Sequence, residues 1–294
     1  RGRRAETRKA RRPADAMPLA RDAAVEVRMR WFIAALALVC ATAAHAEPRR
    51  IVSLDYCADQ FVLALADRDQ IAALSRGALR DDSYFRARAA GIRQTRGTLE
   101  EVLALRPDLV IRNWGGPWDA AEVYARFGVA VLQVGDTPNF AAARADLIDA
   151  AQTLGHPERG ALLVRDLDTR LARLSAHASG APVMYLSGGG AVAGQGTMMD
   201  AMITAAGGRN VRTEASWQVL PLERLIETPP ALIALGFFDS GRDRVNAWSP
   251  SRHPALRRAL ANARTVSLPP ATISCEAWYA IDAAEIIAAA LGHS

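Results

Sequence analysis

The chain's apolar positions fall into short runs, three to six residues long, separated by stretches with helical spacing. Two stretches are nearly alike. Thr98 to Ile111 reads T-L-E-E-V-L-A-L-R-P-D-L-V-I, and Pro221 to Ala234 reads P-L-E-R-L-I-E-T-P-P-A-L-I-A. Aligned without gaps, they share Leu99 with Leu222, Glu100 with Glu223 and Pro107 with Pro230, each pair followed by an apolar run. In the first, Leu99, Val102, Leu103 and Leu105 form a helical stripe, Thr98 and Glu101 have the spacing of a capping box, and Pro107 stops the helix. Leu109 to Ile111 then predicts a strand covered on both faces. The second copy opens with Pro221, suited to a first helical turn, and ends in a strand over Leu232 to Ala234. One helix-then-strand unit used twice, far apart, predicts two similar lobes.

The same reading runs along the rest of the chain. Strands are expected at 50–54, 71–74, 129–134, 183–186 and 265–268, and helices at 59–66, 119–127, 198–206, 254–260 and 278–291. Alternation of strand and helix predicts an α/β fold with mainly parallel, helix-covered sheets. Between Phe140 and Ser179 no strand pattern occurs. A helix capped by Asn139 and ended by Gly155, then a second from Pro157 to about Ala178, make a connector stiff enough to cross from one lobe to the other. The glycines between Ser187 and Gly196 lack the Gly-Lys-Ser/Thr ending of a nucleotide loop and predict a turn or hairpin. Pro269 to Ser274 reads as a loop. Arg76 to Arg96 is polar, carries six arginines and Tyr84-Phe85, and reads as an irregular binding segment or as a solvated surface with one anchoring aromatic pair.

The N-terminus changes the meaning of the charge. Met29-Arg30, the apolar Trp31 to Val39 and Ala44-His45-Ala46 have the order of a secretory signal, predicting cleavage after Ala46. Residues 1–28 carry nine basic and four acidic side chains and little apolar surface; we read them as a non-native upstream tail, with the gene starting at Met29. The full 294 residues sum to +5, but residues 47–294 hold 26 basic and 27 acidic side chains. Nucleic acid therefore loses its electrostatic support as a partner. The resulting division is 1–28 tail, 29–46 signal, 47–138 N-terminal lobe, 139–179 helical connector and 180–294 C-terminal lobe.

Candidate chemistry is sparse. No G-x-S-x-G elbow, H-E-x-x-H or Cys-x-x-Cys occurs, and the histidines lack ligand spacing, so neither a catalytic centre, a metal site nor a cofactor is expected. Two cysteines remain after the signal. Cys57 and Cys275 suit a disulfide in an oxidising compartment, the alternative being two thiols facing a ligand. The five tryptophans beyond the signal all lie in or beside connections, and Trp114 and Trp118 share one Gly/Pro loop after a strand.

The exported start, the I-V-S-L strand, the L-E-E-V-L-A-L-R-P-D-L-V-I block, M-D-A-M-I-T-A-A-G-G-R-N-V from Met199 to Val211 and the second L-E block together resemble class III substrate-binding proteins of ABC importers. These serve uptake of vitamin B12 and related corrinoids, ferric siderophores and haem. The resemblance spans essentially Arg49 to Leu291. It implies two Rossmann-like lobes joined by a long rigid helix, a monomer in the periplasm, no enzymatic activity, and an ABC permease dimer as partner. Glu100 and Glu223 match the acidic residues that meet basic permease residues, one per lobe; each also complements its own helix dipole. Trp217 matches the cleft Trp of the B12-binding members, and Trp114 lies one residue from another. Tyr84, Trp248, Trp278 and Tyr279 complete the expected aromatic ligand wall. A corrinoid is the first expectation and a ferric siderophore or haem the alternative, the arginines at 76, 80, 86 and 93 suiting an anionic chelate. A periplasmic enzyme on the same scaffold, using Cys57 and Cys275 as thiols, is a third reading.

Overall fold

The computed structural model describes residues 47–176, 179–238 and 252–292. The predicted signal and tail, and Trp248 with its loop, lie outside the described residues.

The first lobe is built on a five-stranded sheet. β1 (Ile51–Ser53), β2 (Ile71–Ser75), β3 (Gln94–Thr95), β4 (Leu109–Arg112) and β5 (Ala130–Gln133) take the order β3-β2-β1-β4-β5. Every pairing is parallel, with Ile51 opposite Leu109 and Val110 opposite Val131. The triplets I-V-S and L-V-I are buried throughout, and all but Ser53 are apolar, as a sheet covered on both faces requires. The crossovers carry α1 (Tyr56–Leu65), α2 (Leu99–Ala104) and α3 (Ala120–Ala125). Asp55 caps α1 through the N–H groups of Cys57 and Ala58, and Thr98 caps α2 through that of Glu101.

The second lobe has β6 (Ala181–Ser187), β7 (Ala191–Ala193), β8 (Gly208–Asn210), β9 (Trp217–Val219), β10 (Leu232–Gly236) and β11 (Thr265–Leu268). The order is β11-β10-β6-β7-β9, with β8 alongside the start of β6. Strands β11, β10, β6 and β8 are parallel, whereas β6-β7 and β7-β9 are antiparallel. The glycine-rich stretch is thus the turn of a hairpin, and its far strand recruits β9. Around this sheet lie α6 (Met198–Ala205), α7 (Leu222–Glu227), α8 (Pro254–Asn262), α9 (Pro270–Ile273) and α10 (Ile281–Leu291). The expected loop at Pro269 to Ser274 contains α9.

Between the lobes run α4 (Phe140–Thr153) and α5 (Pro157–Ser175). Gly155, with φ of 85°, and Pro157 separate them. They pack closely: a Cβ on Gly160 would sit 2.3 Å from that of Ala151. Phe140, Ala143, Leu147 and Ala150 bury α4 in the core that also holds Phe61 of α1, and α5 is about 28 Å long at 1.5 Å per residue. Both its ends are tied down. Arg159 donates to the carbonyl of Leu65 (2.6 Å) and pairs with Asp67 in the first lobe. Arg170 reaches Glu285 (2.6 and 2.8 Å) and Asp282 (2.5 Å) of α10.

The main core does not stop at the lobe boundary. Phe61, Leu147, Tyr185, Met198, Trp278 and Ile287 belong to one contiguous apolar cluster. Residues 274–282 are the part of the C-terminal segment that reaches into the first lobe. Cys275 is disulfide-bonded to Cys57 across a separation of 218 residues, the Tyr56 hydroxyl donates to the Ser274 carbonyl (3.3 Å), and the Ser274 hydroxyl donates to that of Asp82 (2.6 Å).

Candidate functional site

The loop after β4 is the best-defined presenting surface. Asp55, only 1 % exposed, uses Oδ1 to accept the N–H groups of Cys57 (3.1 Å) and Ala58 (2.9 Å). Its Oδ2 accepts those of Asn113 (2.7 Å), Trp114 (3.1 Å) and Gly115 (2.9 Å). One carboxylate therefore caps α1 and fixes the Trp114 loop. Gly115 presses on Leu54 so closely that a Cβ there would lie 2.6 Å from the Leu54 carbonyl oxygen, and Arg112 donates to the carbonyl of Pro117 (2.9 Å). On this held backbone Trp114 is 59 % exposed and Trp118 90 %, with Trp114 edge-on to Tyr56 at 6.0 Å between ring centres.

The second lobe presents Trp217, 44 % exposed, from β9. Tyr185 in the middle of β6 supports it edge-on at 5.8 Å. Strand alternation puts the exposed Val219 on the same face as Trp217 and turns Gln218 the other way.

The other expected wall residues sit elsewhere. Trp278 and Tyr279 are buried and are not wall residues in this structure: Trp278 packs edge-on to Phe61 at 5.0 Å, and Tyr279 stacks on Tyr84 at 4.2 Å. Tyr84 is half-buried and gives its hydroxyl to Asp282 (2.6 Å). Burial and that carboxylate hold the Tyr84 hydroxyl well above its ordinary range, so it stays protonated. The reason for the correction is tertiary. Partners some 200 residues away in sequence draw Tyr84 and the helical-turn residues Trp278 and Tyr279 into a contact between the lobes. Trp248 lies outside the described residues.

The arginine-rich segment is anchored rather than loose. Asp82 and Ser83 are buried, Gln60 donates to Ser83 (3.0 Å) and accepts the N–H of Phe85 (2.8 Å), and Arg80 pairs with Asp82 (2.9 Å) while lying over the Tyr56 ring. Beneath it Asp59 is fully buried, accepting the N–H (3.0 Å) and hydroxyl (2.6 Å) of Ser75. Desolvation pushes its carboxyl up to about 6, and nearby Asp55 adds to the shift.

The repeated glutamates behave alike. Glu100 and Glu223 each stand exposed in the first turn of a short helix, with Val102 and Leu225 buried two residues on. The next residue differs. Glu101 is engaged by Arg96 (2.7 Å) and Thr95 (2.9 Å), and the Arg96 contact lowers its carboxyl to about 2; its counterpart in the second copy is Arg224. Among the described residues no group of three or more His, Cys, Asp or Glu is placed to hold a metal ion.

Comparison with known proteins agrees with this architecture. A vitamin B12-binding protein of Pectobacterium carotovorum is 24 % identical over 214 residues, which is 68 % of this chain and 75 % of that protein. A periplasmic haem-binding protein of Pseudomonas aeruginosa shares the fold with a TM-score of 0.62 at 24 % identity, covering 83 % of this chain and 92 % of the other. The periplasmic vitamin B12-binding protein of Vibrio cholerae does so with a TM-score of 0.62 at 19 % identity, covering 84 % and 97 %. The family model described as "Periplasmic binding protein" matches residues 51–239, well over half of the sequence, and the chain belongs to that family.

Proposed function

We propose that the chain is an exported solute-binding protein that carries a corrinoid between its lobes to an ABC permease dimer, working as a monomer in the periplasm after cleavage behind Ala46, with no catalytic role of its own. The observation that carries this reading is the pair of exposed tryptophans, Trp114 and Trp217, one on each lobe and each braced by a tyrosine. Flat aromatic faces on a fixed backbone suit a large, flat, partly apolar ligand. Haem iron instead asks for a His, Cys, Met or Tyr ligand from the protein. Among the described residues Tyr56, Tyr124, Tyr185, Tyr279 and all the methionines are buried, Tyr84 is committed to Asp282, both cysteines are bonded and His156 is held by Gln70, which leaves the exposed His253 at the start of α8 as the side chain such an iron would call on. The residues from Asp239 to Ser251 contain none of these four types. The bonded cysteines also remove the thiols that an enzymatic reading needs.

A ferric siderophore is the second reading, favoured by the arginines at 76, 80, 86 and 93. The test is retention after desalting: residues 47–294 incubated with cyanocobalamin, a panel of ferric siderophores and haemin. The expected result is retained cobalamin absorbance, reduced in Trp114→Ala and Trp217→Ala. Retention of a ferric chelate or haemin without cobalamin would overturn the corrinoid reading.

A further inference from the structure

On the second lobe, residues of β6, β8 and α7 line an open hollow of about 530 Å³. It is lined by apolar Met184 and Leu225, but three of its lining side chains are arginines from two segments: Arg209 on β8 with Arg212 just beyond it, and Arg224 on α7. Glu227 is the one lining carboxylate. Arg209 and Arg224 are exposed, whereas Arg212 is only 8 % exposed. One edge of the Arg212 guanidinium is used, Nη2 lying 3.0 Å from Glu214. Its Nε is buried and has no hydrogen-bond acceptor among the described residues. Glu214 is 3.8 Å from Arg224, too far for a hydrogen bond, and so leaves that guanidinium largely uncommitted.

A buried N–H without an acceptor is costly, and a guanidinium offers its donors as a planar fork that matches an oxyanion. We propose that this hollow is a binding site for a phosphate-class oxyanion, with Arg212 as its buried anchor and Arg209 and Arg224 closing on it from the rim. The site is separate from the tryptophan-lined one and does not depend on which ligand that one takes. The same group can arrive free in solution or as the headgroup of an anionic lipid, and the two sources are separable.

The experiment uses residues 47–294 with the disulfide intact. Thermal unfolding midpoints are measured against rising inorganic phosphate, with chloride at matched ionic strength as the control, and sedimentation is measured with phosphatidylglycerol and with phosphatidylcholine vesicles. A saturable rise in midpoint with phosphate is expected, and the double substitution Arg209→Ala with Arg224→Ala, both at exposed positions, should weaken it by about tenfold or more. Arg126→Ala, at an exposed arginine of the first lobe, should leave it unchanged. If phosphate has no effect but phosphatidylglycerol vesicles retain the protein through the same two arginines, the site stands with a lipid headgroup as its source. The proposal is overturned if neither probe gives a response, or if the response survives the double substitution.

Discussion

Asp55→Asn tests whether one carboxylate organises the presenting end of the first lobe. The carboxylate accepts five backbone N–H groups, two at the start of α1 and three in the loop carrying Trp114. Asparagine keeps one acceptor oxygen, so either the cap or the loop retains its partner while the amide NH2 faces the donors of the other. If the loop loses, three charge-assisted hydrogen bonds go, with a gross value of about 1.5 to 3 kcal/mol each. Relaxation of Asn113 to Gly115 toward water recovers part of this, and we expect a net loss of about 3 to 4 kcal/mol. For a chain of this size that is a fall in midpoint of about 6 to 8 °C. Urea and thermal unfolding of residues 47–294 give the number directly, and the Trp114 indole N–H resonance, identified among the five tryptophans by its loss in Trp114→Phe, reports whether the loop has moved. A loss below about 1 kcal/mol, or an unchanged Trp114 environment, would refute the idea that Asp55 holds this loop.

Three further outcomes are expected. Asp59, raised from 3.8 in the unfolded chain to about 6 in the fold, binds its proton more tightly when folded, so its contribution is most favourable below pH 3.8 and declines as pH rises to about 6. Asp59→Asn should therefore gain about 3 kcal/mol relative to the parent between pH 3.5 and pH 8, and parallel stability curves across that range would rule this out. Reduction of the Cys57–Cys275 bond, which spans 218 residues, should cost up to about 5 kcal/mol in urea unfolding on the chain-entropy account; an unchanged midpoint after complete reduction would show that the bond is dispensable. Glu100→Ala with Glu223→Ala should slow permease-dependent uptake while leaving ligand retention intact, because exposed ion pairs of about 0.2 to 1 kcal/mol orient an encounter rather than supply its affinity; unimpaired uptake would remove the docking role.

Local patterns made most elements readable, because their signals lie within a few residues of one another. The caps Thr98 and Asn139, the stop at Gly155 and Pro157, and the continuous apolar strands at 51–53 and 109–111 are of this kind. The strands missed were β3, β7, β8 and β9, which have only two or three residues each; they exist because a neighbour offers an open edge, and a sequence does not display its neighbours. The same limit explains the site. Trp114 and Trp217 could be read as presenting residues from their position in a loop or just before a helix. Trp278 and Tyr279 had the same local appearance, and only the distant Phe61 and Tyr84 decide that they are buried.

The reach of residues 274–282 into the first lobe bears on the order in which the molecule can fold. Phe61 of α1 acquires its neighbour Trp278, and Cys57 its partner Cys275, only when almost the whole chain is present. A chain made from its N-terminus thus completes the sheet β1 to β5 long before it can close the core beneath that sheet. Such long-range contacts slow folding and leave apolar surface open meanwhile. Removal of α10 and the turn before it would accordingly damage the lobe at the opposite end of the sequence, and the first lobe taken alone would be an unfinished domain.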